Sequence, residues 1–305
     1  MTDHARPARG SPAARGSLAA ACVALGVCAG AWAAAPQTFT EKQSSRGLAA
    51  TLTYSERSDF GYRDQRLVVR RAGRAALDVR LTPESSRWPA PRGGALSLRD
   101  IDGGEPEVLV GIFTGGANCC YGLYVFRHAD GRYRGSFFNA GKGGLVVANL
   151  DRRGPPELRG ADERFQYLFS SGIESITPVR IYRFRAGRLV AVTREFDALV
   201  RESERETWRI ARKLWQMGGN PHTALAAWAA TKYLLGEGSE VWPRLQRLIG
   251  ARTIEPNLER NGPPYLRSVR SALREFGYLS LPQAGSRRWR RSPSSVPARR
   301  CSRRT

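Results

Sequence analysis

The stretch LRDIDGGEPEVLVGIFTGGANCCYG, residues 98–122, decides the fold of this chain. It opens with acidic residues at alternating positions of a glycine-rich turn. It continues into PEVLVGIF, a short run of β-branched and apolar residues typical of a buried strand. A related stretch, NLDRRGPPEL, occupies 149–158 and places Asp151 49 residues after Asp102. This repetition predicts that one β unit is used twice.

Each copy of this unit runs on into a hairpin pattern. GLYVFRHADGRYRGSFF has Asp130-Gly131 between two strand-like runs, and PVRIYRFRAGRLVAVTREF has Ala186-Gly187 in the same place. Residues 66–81 hold two short β-rich runs, and RLVVRRAGRAAL, residues 66–77, is interpreted as a third, degenerate copy. Because one such unit cannot bury its apolar side alone, the copies are expected to stack on one another or on another element.

After residue 197 the pattern changes from strands to helices. Gly218, Gly236 and Gly277 each follow a helical run, and Asn220-Pro221 supply a cap and a proline for a new helix. The sequence therefore predicts three or four helices in this part of the chain. Their large aromatic residues are expected in the core: Trp208, Trp215, Trp228, Trp242 and Tyr233.

Composition divides the chain into four segments. Residues 1–33 have a positive front, an apolar run of small residues and an A-x-A site, which predicts a signal peptide cleaved near Ala33. A β-rich domain at 37–197 and a small α-helical domain at 198–280 follow. The arginine-rich segment 281–305 is predicted to be disordered. The predicted fold class is α+β, with a β-rich repeat domain before a C-terminal helical domain.

The net charge of +22 comes from 49 basic residues, of which 45 are arginine and four are lysine. The signal peptide predicts an exported protein, periplasmic or extracellular, with no integral membrane segment once the signal is removed. A positive surface there would attract anionic envelope polymers, and another protein is the alternative partner. Nucleic acid is not an expected partner, because no recognition motif accompanies the charge.

The two acid-containing units, DIDGGEPEVL and NLDRRGPPEL, resemble FG-GAP or VCBS repeats, which are related to the propellers of integrin α-subunits. The resemblance is best over residues 95–197. It implies propeller-blade-like β repeats and a calcium loop of the form D-x-D-x-D-G-x-x-D. A propeller normally has at least about four blades. Two clear copies and one faint copy therefore leave open another β assembly closed by the helices.

In the first acid turn, residues 100–107, the resemblance makes Asp100, Asp102 and Glu107 the candidate calcium ligands. Calcium takes about six to eight oxygen ligands, which acidic side chains of a tight loop can supply in part. This turn is one residue shorter than the family pattern. The alternative interpretation needs no cofactor, because Asp and Asn side chains also accept hydrogen bonds from nearby backbone amides in turns.

The second acid turn, residues 149–157, has Asn149, Asp151 and Glu157 at the ligand positions of the same pattern. Arg153 stands where the pattern places another oxygen ligand, and a guanidinium opposes a divalent cation. We hypothesise that Arg153, or Arg152, bridges Asp151 and Glu157 in place of a metal, because a planar guanidinium can serve two carboxylates.

Cys119 and Cys120 are adjacent, after a glycine-rich stretch that suggests a turn. Neighbouring residues of a regular strand point to opposite faces, so a turn would be needed for both thiols to meet. The leading interpretation is a vicinal disulfide that acts as a structural clip. The alternatives are two free buried thiols, or one cysteine bonded to Cys301.

No catalytic residue is predicted, because the chain has neither a G-x-S-x-G elbow nor an H-E-x-x-H motif. The leading interpretation is a non-catalytic exported binding or structural module. The alternative is a hydrolase of extracellular polymers that uses carboxylates as acid and base. Asp162 and Glu163, together with the acids of the first turn, would then line a cleft. The interpretation without a catalytic role is that these are loop acids that pair with arginines.

Overall fold

Three antiparallel sheets followed by four helices form the part of the chain that the computed structural model describes: residues 37–57, 61–81, 95–116, 119–250, 263–280 and 294–295. The predicted signal peptide, 1–33, lies outside the described residues. So does the predicted disordered tail, 281–305, apart from residues 294–295. Sheets followed by helices agree with the predicted α+β class.

Each sheet is a meander of neighbouring strands. The first sheet contains β1 Thr38–Ser45, β2 Leu48–Arg57, β3 Gly61–Arg71 and β4 Arg74–Arg80. The second contains β5 Leu96–Arg99, β6 Glu107–Gly116, β7 Cys119–Ala129 and β8 Arg132–Gly141. The third contains β9 Val146–Ala148, β10 Glu157–Ala161, β11 Val179–Arg185 and β12 Arg188–Ala191, with β13 Ser294–Ser295 paired to β12.

Two-residue turns ending in glycine set the register of the hairpins. Asp130 and Gly131 have φ of 53° and 75°, and Ala186 and Gly187 have φ of 49° and 82°. Two consecutive residues with positive φ are the signature of the type I′ turn, whose twist matches that of the flanking strands. The hairpins predicted at these turns are confirmed.

The second sheet is buried on both sides. Val108 and Val110 of β6 pack against the first sheet, where Leu52 belongs to the same apolar cluster. Leu109, between them in sequence, points the other way and packs with Leu158 of the third sheet. This alternation follows from the two-residue period of a strand. The expected stacking of the units is thus confirmed.

The register shows that the second and third sheets are equivalent. Val108 pairs with Phe126, and Leu158 pairs with Tyr182. In both sheets the acid turn leads into the strand that begins with the buried glutamate, and that strand pairs with the first strand of the glycine hairpin. The described residues form three sheets, which is fewer than the about four blades that a propeller normally has.

The helices are α1 Asp197–Gln216, α2 His222–Leu234, α3 Val241–Gly250 and α4 Pro263–Glu275. Gly218, Gly236 and Gly277 take positive φ just after α1, α2 and α4, as predicted. Every residue of α2 is buried, and it forms the centre of the helical core. Of the aromatic residues predicted in that core, Trp228 and Tyr233 are buried. Trp208, Trp215 and Trp242 are half-buried.

The helices continue the stack, because the third sheet packs on the start of α1 through Ile181 and Phe196, with Leu199 of α1 against them. All described residues belong to one compact unit, so a division at residue 197 into two domains stays a prediction. Among the described residues, none of the helices is both long and apolar enough to cross a bilayer.

Candidate metal centre

The first acid turn brings three carboxylates together. Carboxylate oxygens of Asp100, Asp102 and Glu107 all lie within 4.8 Å of one another. Calcium–oxygen distances are about 2.3–2.6 Å, so two ligands of one ion are at most about 5 Å apart. The donor set therefore fits a single calcium ion, which would need further oxygens from backbone or water.

The backbone of this turn is shaped by the same acids. Asp100 Oδ1 accepts hydrogen bonds from the backbone N–H groups of Gly103 (2.7 Å) and Gly104 (3.0 Å). Glu107 Oε2 accepts from the N–H of Ile101 at 2.9 Å. Part of the acceptor capacity is therefore used in turn hydrogen bonds, as the cofactor-free interpretation expects, while the remaining oxygens still converge.

Charge is poorly balanced at Glu107. This side chain is only 1% exposed. Burial raises its pKa to about 7, and the neighbouring Asp102 carboxylate contributes to the rise. The Arg127 guanidinium contacts Asp102, with Nε 2.5 Å from Oδ2. Burial and the neighbouring carboxylate thus disfavour the ionised form of Glu107, and a bound cation would favour that form.

In the second acid turn an arginine compensates the charge of the buried glutamate. Glu157 is fully buried, and its Oε2 accepts from the N–H of Leu150 at 3.1 Å, as Glu107 does from Ile101. Arg183 reaches both acids: Nε lies 3.1 Å from Glu157 Oε1 and Nη2 lies 3.2 Å from Asp151 Oδ2. The same guanidinium also contacts Glu195. One fixed cation therefore serves three carboxylates.

The bridging arginine is not the one that the sequence suggested. Arg183 of β11 contacts both acids, whereas Arg153 donates its backbone N–H to Asp151 Oδ1 at 2.8 Å. Arg152 takes a positive φ of 59° within the turn. Arg152 and Arg153 are exposed, whereas the register of β10 and β11 brings Arg183 opposite the buried Glu157. Asn149 donates from Nδ2 to Gly154 O at 3.2 Å, which closes the turn.

Sequence spacing carried a signal for these arginines. Arg127 and Arg183 each stand four residues before the glycine of their hairpin turn, Gly131 and Gly187. In both hairpins this arginine directly follows the residue that pairs with the first apolar residue of the neighbouring strand, the strand that begins with the buried glutamate. Aligning the two hairpins on their turn glycines would have identified the pair.

Asp162 belongs to a separate buried network. It is 3% exposed and accepts from Arg164 (2.6 and 2.7 Å), Arg180 (2.8 Å) and the Tyr278 hydroxyl (2.7 Å). Burial alone would raise the pKa of Asp162, but the arginines outweigh it and the pKa lies below its usual range. This network joins β11 to the segment after α4, and no sequence motif pointed to Tyr278 as a partner of Asp162.

Glu163 is also engaged, in the glycine-rich turn that follows β8. Its carboxylate accepts from the backbone N–H groups of Lys142 and Gly143. Its Cγ lies 1.9 Å from where a Cβ on Gly141 would stand, so only glycine fits there, at a φ of 63°. This acid occupies the backbone donors of the turn and is not directed toward the first acid turn.

The cysteine prediction stays open. Strand β7 begins at Cys119, and Gly116 pairs with Cys119 across the hairpin, where the sequence suggested a turn. The side chains of Cys119 and Cys120 and the whole of Cys301 lie outside the described residues. The vicinal disulfide is therefore still a prediction.

Two curated proteins are similar to this chain. A protein of Synechocystis sp. named "Probable thylakoid lumen protein" is 30% identical over 204 residues, which is 64% of this chain and 59% of that protein. An uncharacterized protein of Sinorhizobium fredii is 28% identical over 147 residues, 45% of this chain and 22% of that protein. The chain thus spans less than two thirds of the length of either relative.

No protein-family model and no solved structure matches the chain. The resemblance to FG-GAP or VCBS repeats therefore rests on the motifs alone.

Proposed function

We propose that this protein is a non-catalytic exported module, periplasmic or extracellular, whose first acid turn binds one calcium ion as a structural element. The observation that supports this proposal is the convergence of three carboxylates, those of Asp100, Asp102 and the buried Glu107. Its equivalent in the next sheet is neutralised by an arginine. An ion in the first turn would supply the positive charge that Arg183 supplies in the second.

Calcium bound there would fasten the second sheet. Asp100 follows β5, and Glu107 begins β6, so an ion shared by both would tie together the two ends of the turn between these strands. The second sheet is the middle layer of the stack and touches both of its neighbours. A stabilised turn would therefore favour the packing of the whole β-rich part.

The exported location is supported by the signal-like N-terminal sequence. It is also supported by similarity to a relative that is named for the thylakoid lumen. Positive charge on an exported module fits a role in binding anionic material of the envelope. N-terminal sequencing of the chain purified from its native source is expected to find a start near residue 34. A start at Met1 would count against export by this route.

The hydrolase alternative has one feature in its favour. A carboxyl with a pKa of about 7 next to a second carboxylate could act as a general acid. Against it, Glu107 is buried and accepts a backbone hydrogen bond. Asp162 is held by two arginines and a tyrosine. Acids engaged in this way are poorly placed to reach a polymer.

Thermal unfolding with and without calcium tests the proposal. We expect calcium to raise the melting temperature of the full chain by several degrees, saturably, since ligand binding to the folded state alone stabilises it. Asp102→Asn should remove the effect and Asp151→Asn should keep it. A melting temperature that calcium does not change, or a rise that survives Asp102→Asn, would reject the site. Release of reducing sugars or peptides that Glu107→Gln abolishes would favour the hydrolase instead.

A further inference from the structure

Large apolar side chains are exposed at few places in the described residues, and three of them lie on neighbouring connections. Ile173 is 81% exposed and Tyr167 is 56% exposed, both in the loop between β10 and β11. Met217, 73% exposed, follows α1 at the turn into α2. Single exposed apolar residues are ordinary, whereas a group of them on one surface marks an interaction site.

Direct contacts hold the two connections side by side. The Tyr167 ring lies over Gly172, with its hydroxyl oxygen 2.4 Å from where a Cβ would stand. Glu174, which follows Ile173, accepts the backbone N–H of Asn220 at 2.9 Å. Asn220 in turn donates from Nδ2 to Phe169 O at 2.9 Å. The loop is thus fastened to the α1–α2 turn on both sides of Ile173.

The loop is ordered by its own hydrogen bonds as well. Tyr167 has a φ of 60°, an uncommon value for a residue with a side chain, and its N–H donates to Ser175 Oγ at 3.0 Å. Ser170 Oγ donates to Thr223 Oγ1 of α2 at 2.8 Å. These hydrogen bonds therefore fix the backbone of the loop that carries the exposed apolar side chains.

Basic groups border these apolar residues. Lys142 Nζ donates to Gly172 O at 3.2 Å. Lys213 lies one helical turn before Met217, whose N–H donates to Lys213 O at 3.1 Å. These are two of the four lysines in a chain that is otherwise arginine-rich. Two acids lie among them: Glu174, whose carboxylate accepts from Ser171 Oγ and the Asn220 N–H, and Glu163, whose carboxylate accepts from the backbone N–H groups of Lys142 and Gly143.

We propose that this surface, defined by Tyr167, Ile173, Met217, Lys142 and Lys213 and called the loop patch, docks on an anionic lipid bilayer. Apolar and aromatic tips flanked by lysine are the composition of surfaces that rest in the headgroup region. The lysines and the net charge of +22, of which residues 1–33 contribute +2, complement an anionic leaflet. An acidic polymer in water would match the positive charge, but it would not remove the exposed apolar side chains of Ile173 and Met217 from water.

This inference rests on the proposed exported role only for the compartment in which the protein would meet a membrane. It does not depend on calcium in the first acid turn. Vesicle binding by the purified protein can therefore fail while the calcium proposal stands, and the reverse also holds.

The test is co-sedimentation of the full chain with phosphatidylcholine vesicles that contain or lack phosphatidylglycerol. We expect binding to the anionic vesicles only. The double variant Ile173→Ser/Met217→Ser should weaken that binding by about tenfold or more, since two large apolar side chains leave the interface. Phe137→Ser removes an exposed apolar side chain of β8, outside the patch, and should bind as the unaltered chain does.

Lys213→Gln should weaken binding more than Lys42→Gln, which removes an exposed lysine of β1. Equal binding by the unaltered chain and the double variant would overturn the proposal, because the attraction would then be charge alone. Stronger binding to an acidic polymer such as dextran sulfate, unaffected by the double variant, would overturn it in favour of a polyanion. Absence of any vesicle binding would also overturn it.

Discussion

The two acid turns are built on one plan and differ in what neutralises them. In each turn a buried glutamate begins the following strand, and one of its carboxylate oxygens accepts the backbone N–H of the second residue of the turn. In the second turn Arg183 contacts Glu157 directly, whereas in the first turn Arg127 contacts Asp102, and Glu107 keeps a raised pKa. The same backbone therefore holds a guanidinium in the second turn and, as we propose, a calcium ion in the first.

Small sequence differences account for this divergence. The first turn has Asp100 where the second has Asn149, which adds one negative charge. It is also one residue shorter between the aspartate and the glutamate. A third carboxylate favours a divalent cation, whereas the amide of the second turn leaves two carboxylates, which one planar guanidinium can serve.

The largest expected effect is the loss of Arg183. Arg183→Met leaves Glu157 fully buried without its cation, and breaking a buried ion pair costs about 3–5 kcal/mol. Arg127→Met removes a half-exposed partner of Asp102 and should cost about 1 kcal/mol or less. Urea unfolding of both variants measures the difference. Equal losses would mean that the two turns depend on arginine alike.

The next effect concerns pH and belongs to the first turn. The folded-state pKa of Glu107 is about 7, above the ordinary value of 4.5, so the folded state binds more protons between these values. This group therefore makes stability fall as pH rises from about 4.5 to 7, by at most about 3 kcal/mol. Glu107→Gln removes the titrating group and should remove this part of the pH dependence.

Unfolding free energies in a calcium chelator, measured across that pH range, give the comparison. The difference between the unaltered chain and Glu107→Gln should grow in favour of the variant as pH rises. A constant difference would show that Glu107 titrates normally and that its charge is compensated in the fold.

A smaller effect is expected at Arg127. Its guanidinium holds Asp102 and opposes a second cation nearby, so Arg127→Gln should strengthen calcium binding by about tenfold, which corresponds to about 1.4 kcal/mol. Arg134→Gln, an exposed residue paired with Asp130 in the hairpin, is the matched control and should leave affinity unchanged. Weaker binding in the Arg127 variant would show that this arginine positions a ligand instead of competing with the ion.

Local features of the chain were readable in its sequence. The repeated acid turns, the hairpins at Asp130-Gly131 and Ala186-Gly187 and the glycines after the helices depend on backbone preferences of a few neighbouring residues. The convergence of Asp100, Asp102 and Glu107 has the same origin, because all three belong to one short turn.

Partners far apart in sequence could not be read in this way. Arg183 reaches Glu157 only because β10 and β11 pair in one particular register. Tyr278 reaches Asp162 from 116 residues away. The loop patch likewise depends on the loop before β11 lying beside the α1–α2 turn. Such contacts follow from tertiary packing, which neither propensity nor spacing encodes.

The stoichiometry of calcium binding tests the central claim most directly. Isothermal titration calorimetry of the full chain at pH 8 should find one ion per chain, lost in Asp102→Asn and retained in Asp151→Asn. No bound ion would mean that the first turn is held by its hydrogen bonds alone. Two ions, or one that disappears with Asp151→Asn, would contradict the division of roles between the two turns.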